Sequence, residues 1–136
     1  MKYLSTRGNY RSVNAAEAIR LGMVPGGGLF VPESFPRLAP ETTLSYGELA
    51  LKIFSLYLDD YSTEELSQII ADSYFSGSFP GIIAPLVTVD GLEVLELWHG
   101  PTAAFKDMAL QILPRFLTTA IKKTSGDKEV VILVSC

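Results

Sequence analysis

Apolar and polar positions along this chain switch repeatedly between helical and strand-like spacing. From Ala109 through Ile112, Leu113, Phe116, Leu117 and Ala120 to Ile121 the apolar residues recur every three or four positions, which predicts one helix from about Thr102 to Lys123. Pro114 falls inside that stretch and is expected to kink it. Ser45-Tyr46-Gly47-Glu48 and Ser62-Thr63-Glu64-Glu65 have capping-box spacing. They predict helices running to about Leu58 and to about Phe75. Asn14-Ala15-Ala16-Glu17 opens a shorter helix in the same way, and Gly22 closes it.

Strand-like runs lie between these helices. Lys2 to Thr6 predicts one short strand and Leu29-Phe30-Val31 another, the latter ended by Pro32. Leu86 to Val89, Asp90-Gly91, then Leu92 to Trp98 reads as a β-hairpin with a two-residue turn. Val130-Val131-Ile132-Leu133-Val134 is an apolar run of the kind found in a parallel strand buried on both faces. Helix followed by buried strand is an α/β signature. The chain stops two residues after Val134, whereas such a strand needs neighbours and covering helices. It therefore reads as part of a larger α/β protein; a genuine terminal strand is the other reading.

Composition narrows the function classes. The 136 residues are 48% hydrophobic and carry a formal net charge of −4 with no basic run, which argues against a nucleic-acid partner. No apolar run approaches the ~20 residues of a membrane span, and Met1 to Arg7 has no signal-peptide core. The single Cys136 excludes an internal disulfide and suits a reducing cytoplasm. One His and one Cys do not make a typical structural zinc site. Glu64 and Glu65 sit in a first helical turn, where the helix dipole favours them, and read as capping charges rather than paired catalytic carboxylates. Pro25-Gly26-Gly27-Gly28 lacks the strand–GxGxxG–helix context of a dinucleotide site and reads as a turn.

The segment His99-Gly100-Pro101-Thr102-Ala103-Ala104-Phe105-Lys106-Asp107 carries the candidate chemistry. Lys106 follows an apolar strand, stands beside an aromatic ring and has mostly uncharged neighbours. An amine in such surroundings can lose its proton and attack a carbonyl; the bland alternative is a surface lysine in a first helical turn. Gly100-Pro101 predicts a stiff turn. Thr102 supplies a hydroxyl and, like its near neighbours, a helix cap. Phe105 is expected to exclude water beside the amine. Asp107 either orients or counters the lysine, or stabilises the helix start. His99 has the chemistry of an acid–base group or a ligand hydrogen bond, although a lone histidine is more often structural.

Three blocks of the chain resemble the threonine synthase family: Lys2-Tyr3-Leu4-Ser5-Thr6-Arg7-Gly8, Gly22 to Glu33, and Leu95-Glu96-Leu97-Trp98-His99-Gly100-Pro101-Thr102-Ala103-Ala104-Phe105-Lys106-Asp107-Met108-Ala109-Leu110-Gln111. The resemblance implies a tryptophan-synthase-β-like (fold type II) α/β architecture, with residues 1–136 as the family's N-terminal region. Residues 1–80 are then its N-terminal helical segment, and residues 81–136 begin the pyridoxal-phosphate-binding α/β domain. It further implies that Lys106 forms a Schiff base with pyridoxal 5′-phosphate. The substrate is O-phospho-L-homoserine: phosphate leaves the γ carbon, water adds at the β carbon, and the products are L-threonine and phosphate. Phe105 and Asp107 accompany Lys106 as cofactor residues. Ser5, Arg7, His99 and Thr102 are candidate substrate contacts, the first two as anion contacts by their chemistry.

A Ser-Gly-Asp-Thr-Gly type loop, which cradles the cofactor phosphate in the family, would begin at Ser135-Cys136. The 136 residues alone are thus expected to bind the cofactor poorly and not to turn over, with the remainder of the chain as partner. Two other readings stand beside this one. One is a threonine-synthase-like phospho-lyase acting on a related phosphorylated hydroxyamino acid; the other is a non-catalytic domain that binds a partner through apolar surfaces.

Overall fold

The structure, a computed structural model, describes residues 1–39, 43–126 and 131. Strand β1 (Tyr3–Ser5) pairs antiparallel with β2 (Phe30–Pro32), with Leu4 opposite Val31. Helix α1 (Ala15–Leu21) lies between them in sequence. The Asn14 side chain caps α1 by accepting from the Glu17 N–H at 2.9 Å, and Gly22, at φ 68°, ends it. Glu17 does not complete the box; its carboxylate pairs with Arg11 and, at 3.7 Å, with Arg20.

Helices α2 (Tyr46–Tyr57) and α3 (Thr63–Tyr74) pack together. Both have complete capping boxes, Ser45 with Glu48 and Ser62 with Glu65. Each box satisfies two N–H groups that a helix start otherwise leaves without partners. Glu65 also pairs with Lys123 at 2.8 Å, so it is a structural charge, in keeping with its place in a first turn.

Strands β3 (Leu86–Val89) and β4 (Leu92–Leu95) form the expected hairpin, with Leu86 opposite Leu95. Asp90 and Gly91 hold φ 49° and 80° at its turn, the double left-handed geometry that Asp-Gly favours. β4 ends three residues before Trp98. Its pairing closes with the Glu96 N–H donating to the Pro85 carbonyl at 2.9 Å, and the Trp98 ring then stacks on His99 with centroids 5.8 Å apart.

The predicted helix from Thr102 to Lys123 is two helices, α4 (Asp107–Leu110) and α5 (Leu113–Ser125). Pro114 is the reason. In a continuous helix its ring would strike the Leu110 carbonyl and its missing N–H would leave that carbonyl without a donor. The chain breaks at Gln111-Ile112, and Pro114 comes to rest in the first turn of α5, where no N–H is required. Thr102 does not cap a helix. Lys106 occupies the cap position of α4, with no side-chain capping bond.

The core gathers around α5. Ala120, fully buried, is in the same buried cluster as Ala15 and Ala16, and these small side chains let α1 and α5 come close. Phe116 meets Phe54 and Tyr61 edge-on at 5.1 and 5.9 Å. Tyr61 donates its hydroxyl to the Phe116 carbonyl at 3.1 Å. Tyr74 donates to the Met108 carbonyl at 2.7 Å, which ties the end of α3 to α4. Burial pushes both phenols well above their ordinary pKa. The expected strand Val130 to Val134 lies, apart from Val131, outside the described residues, as does Cys136. Among the described residues, no helix is long and apolar enough to cross a membrane, and no group of His, Cys, Asp and Glu could hold a metal ion.

Candidate active site

The loop from His99 to Lys106 joins the hairpin to α4, and it is folded around a carboxylate. Asp107 is 1% exposed. Its Oδ2 accepts from the Thr102 N–H and its Oδ1 from the Thr102 hydroxyl, both at 2.8 Å. Burial alone would raise the Asp107 pKa. The hydrogen bonds from the Thr102 N–H, the Thr102 hydroxyl and the Ala104 N–H outweigh it and hold the carboxyl below its ordinary value. Folding therefore favours the ionised form. That contribution to stability is complete above the unfolded value of 3.8 and is lost as the pH falls through the lower folded value. The stability difference between the wild-type chain and Asp107→Asn is expected to shrink below about pH 4, measured by urea unfolding across a pH series.

Gly100 makes room for this carboxylate. A Cβ on Gly100 would stand 2.4 Å from the Asp107 Cβ and 2.7 Å from Oδ2. Ala103 is held at φ 54°, left-handed backbone that a residue with a Cβ adopts only when its surroundings impose it. These two backbone features gave no sign of themselves in the residue pattern. Gly100 read there as half of a Gly-Pro turn, and Ala103 as an ordinary alanine.

Lys106 and Phe105 face outward. Lys106 is exposed and takes part in no ion pair among the described residues. Phe105 is 65% exposed, so the expected shielding of the amine by its ring is not formed within this chain: no described element covers that side of the loop. His99 Nε2 and Glu96 Oε2 are 2.6 Å apart. Glu96 was not foreseeable as a partner, because a spacing of three places residues on opposite faces of a strand. Only the irregular path of the chain after β4 brings the two together.

Ser5 and Arg7 lie at the other sheet. Ser5 donates its hydroxyl to Asn9 Oδ1 at 2.6 Å and accepts from the Arg7 N–H at 3.1 Å. The Arg7 guanidinium lies against the glycine turn, with Nη1 2.9 Å from where a Gly27 Cβ would stand. Asn9 donates to the Gly27 carbonyl at 3.1 Å. The triple glycine is thus a turn, as expected, and its bare backbone is occupied by the chain's own side chains. The interactions of Ser5 and Arg7 stay within this corner and do not reach the Lys106 loop.

The family model described as threonine synthase N terminus matches residues 2–74, more than half of the chain. The chain belongs to the threonine synthase family. Among curated relatives, threonine synthase of Schizosaccharomyces pombe is 36% identical over 94% of this chain and 26% of its own length. Threonine synthase-like 2 of Mus musculus is 36% identical over 98% of this chain and 29% of its own length. Among solved structures, PLP-bound threonine synthase from Brucella melitensis matches with a TM-score of 0.81 at 32% identity, over 90% of this chain and 28% of that one. The chain therefore spans between 26% and 29% of these three threonine synthase family members, and its fold is that of their N-terminal part, with mixed helix and strand.

The residues present suit one part of what pyridoxal phosphate requires. An aldehyde-bearing aromatic cofactor needs an accessible amine beside apolar surface. Lys106 is exposed, and Phe105, Trp98 and Leu110 near it in sequence are each about half exposed or more.

Proposed function

We propose that this chain is the lysine-bearing N-terminal part of a pyridoxal-phosphate-dependent threonine synthase, which converts O-phospho-L-homoserine and water to L-threonine and phosphate. The observation that carries the proposal is the exposed Lys106 on a loop hydrogen-bonded to Asp107, in a chain whose fold matches a PLP-bound threonine synthase. Bound there, the cofactor supplies an electron sink for carbanions at the substrate's carbons. Lys106 holds it through Nζ. The same Nζ would take and return protons at the substrate's carbons. Phe105 and Trp98 supply apolar surface for the ring, which becomes a water-excluding wall when the rest of the protein covers it.

His99, held by Glu96, faces the substrate side of the same loop, while the Thr102 N–H and hydroxyl are engaged by Asp107. Arg7 offers a cation to the substrate's phosphate from the β1–β2 corner, where the Ser5 hydroxyl is engaged by Asn9. Residues 81–136 open the cofactor-binding domain, and residues 1–80 pack against it as the helical N-terminal segment. The phosphate cradle belongs to the remainder of the protein, and the 136 residues alone bind the cofactor poorly and do not turn over.

The deciding experiment is product analysis of the full-length protein with O-phospho-L-homoserine. Threonine and phosphate are expected in equal amounts, and phosphate release without threonine overturns the reading. A second reading has one observation in its favour: threonine synthase-like 2 of Mus musculus is as similar to this chain as the S. pombe synthase. Phosphate, ammonia and a keto acid as products would identify a phospho-lyase instead.

A further inference from the structure

We infer that Asp107 is a positioning residue: its buried carboxylate, admitted by Gly100 and bound twice by Thr102, sets the direction in which the neighbouring Lys106 side chain leaves the loop. The inference rests on Lys106 being the cofactor lysine. Successive residues entering a helix differ in direction by about 100°. With Asp107 turned fully inward, Lys106 is turned out, as its exposure shows. Two further constraints keep Asp107 from turning. Its oxygens are each taken by a Thr102 donor at 2.8 Å, and its Cβ stands 2.4 Å from the position of a Gly100 Cβ, a place only glycine leaves open. Neither atom in that contact is the end of a flexible side chain, so Gly100→Ala must move backbone. Ala103 at φ 54° belongs to the same closed turn. Asp107 thus acts through the loop, without touching cofactor or substrate.

The geometry ranks a set of variants. Asp107→Asn can keep both bonds, its Oδ1 accepting from the Thr102 N–H and its amide donating to the Thr102 hydroxyl oxygen. Thr102→Ser keeps both donors, and Thr102→Val loses the hydroxyl alone. Asp107→Ala loses both Thr102 bonds and the carboxylate's other contacts, and Gly100→Ala expels the carboxylate. A charge acting directly on cofactor or substrate would instead make Asp107→Asn as harmful as Asp107→Ala.

The test uses the full-length protein loaded with pyridoxal phosphate. It reads the rate at which the cofactor becomes trappable on Lys106 by borohydride, found by peptide mass, and separately the equilibrium affinity for the cofactor. Asp107→Ala and Gly100→Ala are expected to slow attachment about a hundredfold, with affinity changed far less. Asp107→Asn and Thr102→Ser should stay within about fivefold of wild type, with Thr102→Val in between. In the apoprotein, amide exchange at Thr102 should accelerate in Asp107→Ala and remain slow in Asp107→Asn. If the alanine variants do not fold, the comparison of Thr102→Val with Thr102→Ser and Asp107→Asn decides. Attachment in Asp107→Ala within twofold of wild type overturns the inference, as does equal damage from Asp107→Asn and Asp107→Ala. Undiminished trapping in Lys106→Ala would instead overturn the cofactor assignment itself.

Discussion

Lys106→Ala in the full-length protein is expected to lower kcat by at least about a thousandfold, because the proposed function gives this one residue two tasks that no neighbour can take over. Under the proposed function it would anchor the cofactor and also move protons at the substrate's carbons. The loop offers no substitute base in the same place. Asp107 is buried with both oxygens engaged, and His99 is paired with Glu96. Lys106→Arg should be as inactive, since a guanidinium keeps its charge and does not lose a proton near neutral pH. Steady-state kinetics of both variants, alongside borohydride trapping, checks this. Activity in Lys106→Arg above about one per cent of wild type would remove the proton-moving role.

Phe116→Ala is expected to destabilise the chain by about 3–5 kcal/mol. Phe116 is 7% exposed and sits where α5 meets α2, its ring in edge contact with Phe54 and Tyr61. Truncation opens a cavity at the junction of several elements, and helices on both sides cannot close it without losing their own contacts. Phe105→Ala removes the same side chain from a position 65% exposed in this chain, and a change within about 0.5 kcal/mol is expected. Urea unfolding of the two variants of the 136-residue chain measures the contrast. Equal losses would mean that the Lys106 loop packs inward, against the arrangement described.

Much of the fold is legible in the residues because it is local. A serine three residues before a glutamate, ahead of an apolar helix, closes its own capping box at Ser45 and Ser62 whatever packs nearby. Asp90-Gly91 bends a hairpin because those residues tolerate the left-handed backbone its turn needs. The break at Pro114 shows the boundary of such reasoning. The spacing of apolar residues spans it without interruption, yet Ala109 and Leu113 come out exposed, and the proline ring's clash divides the helix.

The candidate site was legible as a set of residue types and hidden as an arrangement. A lysine after an apolar strand, beside phenylalanine and aspartate, marks the chemistry without saying which side chain faces inward. Exposure of Phe105, burial of Asp107 and the pairing of His99 with Glu96 depend on the path of the chain between two elements, which no period describes. Gly100 is the sharpest case, because what it must make room for is the Cβ of a residue seven positions on.

Sequence alone determined the elements, their caps and the family motif around Lys106, because each depends on residues within a few positions of one another. Tertiary structure alone decided that the loop closes on Asp107 and turns Lys106 outward. That outcome depends on a steric vacancy at Gly100 and two hydrogen bonds from Thr102, which come into being only when the turn has closed and the carboxylate has left water.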